Sequence, residues 1–240
     1  GQELIRAVLR MPVDLLWNGG IGTYVRSSAE TDVEVGDSGN DAVRVSADQL
    51  RARVVGEGGN LGFTQRARIE YALGGGRINT DCIDNSGGVD MSDHEVNIKI
   101  LFQGALASGG LTMEERNELL EEMTEEVTAL VLSDNYSQSL ALSLAEARSS
   151  EDPQLFESLQ AYLAERGGLD EAVEAMPSAR QLAERRRHDR SYTRPELAVI
   201  MAYAKMGLYR RLLETDFPEE PRFQHYLFAY FPAVLQKRFP

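Results

Sequence analysis

VVGEGGNLGFTQRARIEYA, residues 54–72, carries the reading of the fold. It opens on apolar Val54-Val55 and runs through Gly56, Gly58 and Gly59 to Asn60. Helical spacing follows from Phe63 to Leu73, until Gly74-Gly75-Gly76 stops it. A short apolar run closed by glycines reads as a buried strand, so the segment is a strand, a turn and a helix. In open α/β sheets ligands bind at the carboxyl ends of strands, and Asn60 stands at such an end. Its amide can both donate and accept, which matches a carboxamide or a ribose. It would equally serve as a helix cap behind a glycine turn.

The neighbouring segments repeat the pattern. VDLLW (13–17) is apolar and closed by Asn18-Gly19-Gly20, and RINTDCI (77–83) predicts a third short strand. Leu4, Ile5, Val8 and Leu9 form a helical stripe that ends before Pro12. SADQL (46–50) predicts a short helix capped by Ser46, and polar residues 26–42 a surface loop. Strands alternating with helices imply a parallel sheet of about three strands. WNGGIGTYV (17–25) begins G-x-G, but Val25 takes the last glycine position and no clear helix follows. It is read as a strand-end turn able to line a cofactor cleft, not as a phosphate-binding fingerprint.

The character changes after Gly109-Gly110. Thr112 and Glu115 form a capping box, and Leu119, Met123, Val127 and Leu130 follow on one stripe. Pro153 suits the first turn of another helix, and Thr193 with Glu196 forms a second capping box. No strand signal appears in this part. The expected class is α/β followed by all-α, with a long helix over about 87–107 between the two.

Composition narrows the functions. The chain has 240 residues, 42% of them hydrophobic, and a formal net charge of −13. That balance argues against a nucleic-acid binder, which needs a basic face. One cysteine, Cys82, allows no internal disulfide and fits a reducing cytoplasm. No apolar run has the length of a membrane span, and the first residues show no signal-peptide pattern. Both ends look cut from something longer.

CIDNSGGVDMSDHEVNIKI (82–100) concentrates Asp84, Asp90, Asp93, His94 and Glu95. Residues three and four apart share a helix face, so Asp90 could share a metal with Asp93 or His94. Glu95 would lie off that face and His94 has no partner histidine nearby, so no metal is expected. Acids in a first helical turn also simply complement the helix dipole. A third reading is an anion site, in which Gly87 and Gly88 admit a ligand to first-turn amides and Ser92 adds a hydroxyl. The basic island Arg185–Arg187, His188 and Arg190 is read as cations near a helix C-terminus, solvated or paired with acids. The Glu-rich run 114–126 is read as a wet helix face, and Cys82 as a small buried residue.

At this point the motifs resemble a family. NSGGVDMS (85–92) is similar to the N-A-G-G-V-x-x-S motif of glutamate dehydrogenases, and VVGEGGN (54–60) to their A-E-G-A-N turn. DLLWNGGIGTYV, RINTDCIDNSGGVDMSDHEVNIKIL, DNYSQSLALSLAE and TRPELAVIMAYAK resemble the very large bacterial NAD-specific members in order. The resemblance covers almost the entire chain.

It implies part of an NAD-dependent enzyme that deaminates L-glutamate to 2-oxoglutarate and ammonia. Residues 1–85 would be the C-terminal half of a Rossmann-like NAD-binding domain, 86–108 a linking hinge helix, and 109–240 a helical C-terminal domain. Ser92 would bond the substrate carboxylate, Val89 would pack its methylenes, and Asn85 lies at the same junction. Asn60 and Gly59 would face the nicotinamide end of NAD, and Asn18, Gly19 and Gly20 its ribose. Ser86 and Gly59 stand where the smaller enzymes have alanine. The family's catalytic lysine and aspartate and its glycine-rich phosphate loop have no counterpart here. No catalytic residue is therefore expected in this stretch, and the partners implied are the rest of the parent chain and copies of itself. The alternative is a non-catalytic helical interaction or regulatory module on a remnant nucleotide platform.

Overall fold

A computed structural model describes residues 1–239. Leu15–Asn18 (β1) and Val54–Glu57 (β4) pair in parallel, Leu15 opposite Val54 and Asn18 opposite Glu57. A second parallel pair joins Val25–Arg26 (β2) to Val45–Ser46 (β3). Gln2–Leu9 (α1) precedes β1, and its apolar Leu4, Ile5 and Val8 are exposed. Gln65–Leu73 (α3) follows β4, with the Thr64 hydroxyl accepting from the Ala67 amide. Val25, Val45, Val55, Phe63, Ala67, Tyr71 and Ile78 form one core between these elements.

Two expectations give way here. RINTDCI does not make a third strand: Arg77 contributes a single parallel bridge to Val54, and Asp81–Asp84 is a short helix, α4. The acids account for the change. Asp84 accepts the Glu57 amide at the end of β4, and Asp81 accepts the Leu61 amide. Two carboxylates in a first helical turn thereby satisfy the strand-end backbone that a third strand would have paired. Cys82 on α4 is exposed, not buried, because Ile83 takes the inward position beside it.

The polar stretch 26–42 is also more ordered than composition suggests. It contains Asp32–Val35 (α2), closed by a Thr31–Glu34 capping box. The Arg44 side chain is almost fully buried beneath it, bonding the Thr23 carbonyl at 2.8 Å and Asp32 at 3.0 Å. The Ser46 side chain makes no cap to the 3-10 turn Ala47–Gln49.

The remaining elements are helices: Ser86–Ala107 (α5), Met113–Glu122 (α6), Thr124–Glu151 (α7), Pro153–Tyr162 (α8), Ala179–Arg186 (α9), Arg194–Leu213 (α10), Gln224–Tyr230 (α11) and Ala233–Arg238 (α12). The Thr112–Glu115 capping box opens α6. Glu196 reaches back to the Thr193 amide at 2.7 Å.

The chain forms two compact units, Gly1–Asn85 with Gln138–Gly207, and Ser86–Ser137 with Leu208–Pro240. In the first, a second core gathers Ile83, Leu142, Phe156, Leu163, Leu182, Tyr192, Leu197 and Ile200. The basic island lies in this unit and is paired, Arg185 with fully buried Glu196, Arg186 with Glu157 and Arg187 with Glu184. The second unit is built on Ile98, Phe102, Leu111, Leu119, Met123 and Leu235. No helix among the described residues is long and apolar enough to cross a membrane.

Candidate functional site

In the first unit the ends of β1 and β4 lie side by side, because Asn18 pairs in register with Glu57. The turns that follow are pressed together. A Cβ placed on Gly59 would sit 2.5 Å from the Gly20 carbonyl oxygen and 2.8 Å from its carbon. Both are backbone atoms, so a side chain at 59 would have to push the two turns apart. On the adjacent face the Trp17 indole lies over Gly56 and Gly58, whose missing side chains leave room for the ring. The glycine spacing of the opening stretch thus encodes one flat stacking surface and one close backbone approach.

Three side-chain amides gather around these ends. The Asn85 amide donates to the Asn60 carbonyl oxygen. Asn60 is exposed, whereas the Asn18 Nδ2 is buried and has no hydrogen-bond partner. An orphaned buried donor beside a tight glycine turn is the kind of group a bound polar ligand satisfies. Gly19 and Gly20 are open to solvent, and Asn60 does not cap α3, a role taken by Thr64.

A buried ion pair fixes the geometry from below. Glu57, fully buried, receives two bonds from Arg68 at 2.6 and 3.0 Å and one from the Phe63 amide at 3.1 Å. Burial pushes the Glu57 carboxyl above its ordinary range, and the Arg68 and Phe63 bonds pull against that rise. Burial also opposes the charge on Arg68, but the bonds to Glu57 outweigh it and hold the guanidinium above its ordinary value. Arg68 reaches on to Asp81 at 3.3 Å. Strand end, turn, α3 and α4 are thereby tied to one charge cluster. Sequence reasoning missed this cluster, since its members lie 11 to 24 positions apart and share no local pattern.

The second unit carries the other expected residues. Val89 and Ser92 lie on exposed positions of the first turns of α5. The Ser92 hydroxyl donates to the Gly88 carbonyl at 2.9 Å. Donating to a carboxylate instead requires only rotation of that hydroxyl. Asp90 is half-buried and directed at His94, with Oδ1 3.9 Å from Nε2, so its charge is turned toward the unit interior.

A parallel pair of strands whose ends carry glycine turns and amide side chains, followed by helices, is an α/β arrangement, and in open α/β sheets it is at such strand ends that ligands bind. Residues 1–145 match the model of the bacterial NAD-glutamate dehydrogenase catalytic domain, and residues 189–240 that of the glutamate dehydrogenase C-terminal region. The chain belongs to the bacterial NAD-glutamate dehydrogenase family. Over 237 residues it is 52% identical to the NAD-specific glutamate dehydrogenase of Pseudomonas aeruginosa and 51% identical to that of Halomonas elongata. It is 48% identical to the Mycobacterium tuberculosis enzyme of the same name. Each match covers 99% of this chain and 15% of the relative, so the chain spans about one seventh of their length.

Proposed function

We propose that this chain is part of an NAD-dependent glutamate dehydrogenase, supplying the nicotinamide side of the cofactor cleft and one wall of the substrate site. Residues 1–85 act as the C-terminal half of a Rossmann-like NAD-binding domain, and 86–108 as a linking helix able to serve as a hinge. The observation that carries the reading is the Asn60–Asn85 bond beyond the end of β4, with Asn18 at the paired end of β1, in a chain of this family.

The residues present suit the cofactor. The unpartnered Asn18 amide offers a donor to ribose, and Asn60 with Asn85 offers donors and acceptors to a carboxamide. The Gly59–Gly20 approach leaves no room for a side chain between the two strand-end turns. NAD, when bound, accepts hydride from the α-carbon of the amino acid. Ser92 donates to the substrate's side-chain carboxylate, and Val89 packs against its methylene chain. The catalytic base lies elsewhere in the parent protein, so these 240 residues alone do not turn over glutamate. The parent is read as a cytoplasmic enzyme. Exposed apolar side chains in the second unit, among them Leu132, Tyr136, Tyr226 and Leu227, support burial against the remaining chain or a second subunit.

Ser92→Ala in the intact parent tests the reading. Loss of a charge-assisted hydrogen bond, roughly 1.5–3 kcal/mol, raises the glutamate KM about ten- to a hundredfold while the NAD KM holds. An unchanged glutamate KM removes Ser92 from the site. Steady NADH production by the 240-residue chain would show that the base lies within it.

A further inference from the structure

The acidic segment that opens α5 acquires a partner that sequence could not supply. Asp90 and His94 stand one turn apart on α5, and Asp134 approaches them from α7. Of the four candidate ligands in the segment, Asp93 and Glu95 are exposed, and Glu95 pairs with Lys99. His94 differs from them all. It is 2% exposed, and neither ring nitrogen has a hydrogen-bond partner. A buried imidazole without partners loses its hydration and regains nothing, which folded proteins rarely tolerate.

The His94 Nε2 points between two carboxylates, 3.9 Å from Asp90 Oδ1 and 3.9 Å from Asp134 Oδ2. These gaps are too long for an N–H···O bond, whose usual range is about 2.7–3.2 Å. A proton on Nε2 therefore leaves the group poorly satisfied. A cation fits better. The three donor atoms lie within 4.8 Å of one another. A point equidistant from three such atoms is about 2.5 Å from each at most, against roughly 2.0–2.2 Å for zinc bonds to nitrogen and oxygen. Closure by about half an ångström suffices, and the Asp134 side chain, 63% exposed, is free to make it.

We propose that Asp90, His94 and Asp134 bind one divalent transition cation of the zinc class, cross-linking α5 to α7 in the second unit. The imidazole selects such an ion over magnesium or calcium, which prefer all-oxygen sites. Two carboxylates neutralise its charge, and three protein ligands leave a position for water. The Tyr230 ring, stacked on His94 at 4.6 Å and 14° between planes, restrains the imidazole's orientation. The Ser86–Asn135 hydrogen bond joins the two helices next to the site. The proposal is independent of the dehydrogenase reading, since none of its residues is assigned to cofactor or substrate.

The test is a titration of Co²⁺ alone into the metal-free full chain, followed by visible absorption. One equivalent is expected to bind with the strong bands of a four- or five-coordinate ion, and Zn²⁺ is expected to displace it. Removing an outer-shell partner typically costs 10–100-fold in metal affinity, so removing a ligand should cost roughly 100-fold or more. Asp134→Asn alters an exposed side chain and keeps the fold, so it isolates the ligand from the structure. His94→Gln should lose the bands as well. Absence of saturable binding, or identical spectra and affinity in wild type and Asp134→Asn, overturns the site and leaves His94 as an imidazole between two acids.

Discussion

Replacing Gly59 by alanine probes the strand-end platform directly. Gly59 does not use a left-handed backbone, so alanine meets no conformational penalty there and gains about 0.4–1 kcal/mol by restricting the unfolded chain. The new methyl, however, lands 2.5 Å from the Gly20 carbonyl oxygen. Relief requires the two turns to part by roughly half an ångström or more, and overpacking of this kind costs about 1–3 kcal/mol. The net expectation is a loss of up to about 2.5 kcal/mol, or at most a few degrees in Tm for a chain of this size. Trp17 is the only tryptophan, and its ring lies over Gly56 and Gly58 beside the perturbed turn. Urea unfolding followed by its fluorescence therefore reads the region in question. Gly104→Ala is the matched control: in the last turn of α5 that Cβ meets nothing within 4 Å, so the change should stabilise by up to about 0.5 kcal/mol. In the intact parent, Gly59→Ala should also raise the NAD KM. If Gly59→Ala proves more stable than wild type by the roughly 0.4–1 kcal/mol expected without a clash, the turns do not meet as described.

Three further outcomes follow from the buried charges and the phenol. Arg68→Met strands the Glu57 carboxylate without its guanidinium and should cost about 3–5 kcal/mol, while Glu57→Gln with Arg68→Met should recover most of it; equal losses in single and double variants would refute the pairing. Asp32 is held below the ordinary carboxylate range first by its bond from Arg44, and Asp37 first by the Thr23 amide. Both therefore favour folding above the unfolded carboxylate value near 3.9 and lose that contribution as pH falls below it, so Asp32→Asn should flatten the acid limb of a stability profile below about pH 4. Burial pushes the Tyr192 phenol upward, helped by the Glu157 and Glu196 charges, and its hydroxyl donates to Gln160 at 2.9 Å. Its neutral form favours folding below the unfolded value near 10, and that contribution is lost as pH climbs above it; Tyr192→Phe should show a shallower alkaline decline, measured by denaturant midpoints from pH 8 to 11.

What could be read from sequence was local. Thr112 with Glu115 and Thr193 with Glu196 lie three residues apart, so their caps are visible in the order of letters. The Thr31–Glu34 box has the same signature inside 26–42, where overall polarity pointed to a loop. The strand ends were legible because glycines and asparagines punctuate apolar runs. The helix expected near 87–107 runs from Ser86 to Ala107. Asp81–Asp84 went unread because its acids answer the Glu57 and Leu61 amides, 27 and 20 residues upstream. Asp134 lies 40 positions beyond His94, and the Glu57–Arg68 pair spans a turn and half a helix. Periodicity reports which face of an element turns inward, but not which distant group it meets there.

The hub under residues 22–46 has a consequence for mutational tolerance. The Arg44 guanidinium serves the Thr23 and Asp37 carbonyls and the Asp32 and Asp41 carboxylates at once, from an almost solvent-free position. A lysine there would present one compact charge with three donors and could not span acceptors arrayed around a planar fork. An exchange that substitution tables score as mild would release several of the segment's anchors at once, so this charged position constrains drift as a core residue does.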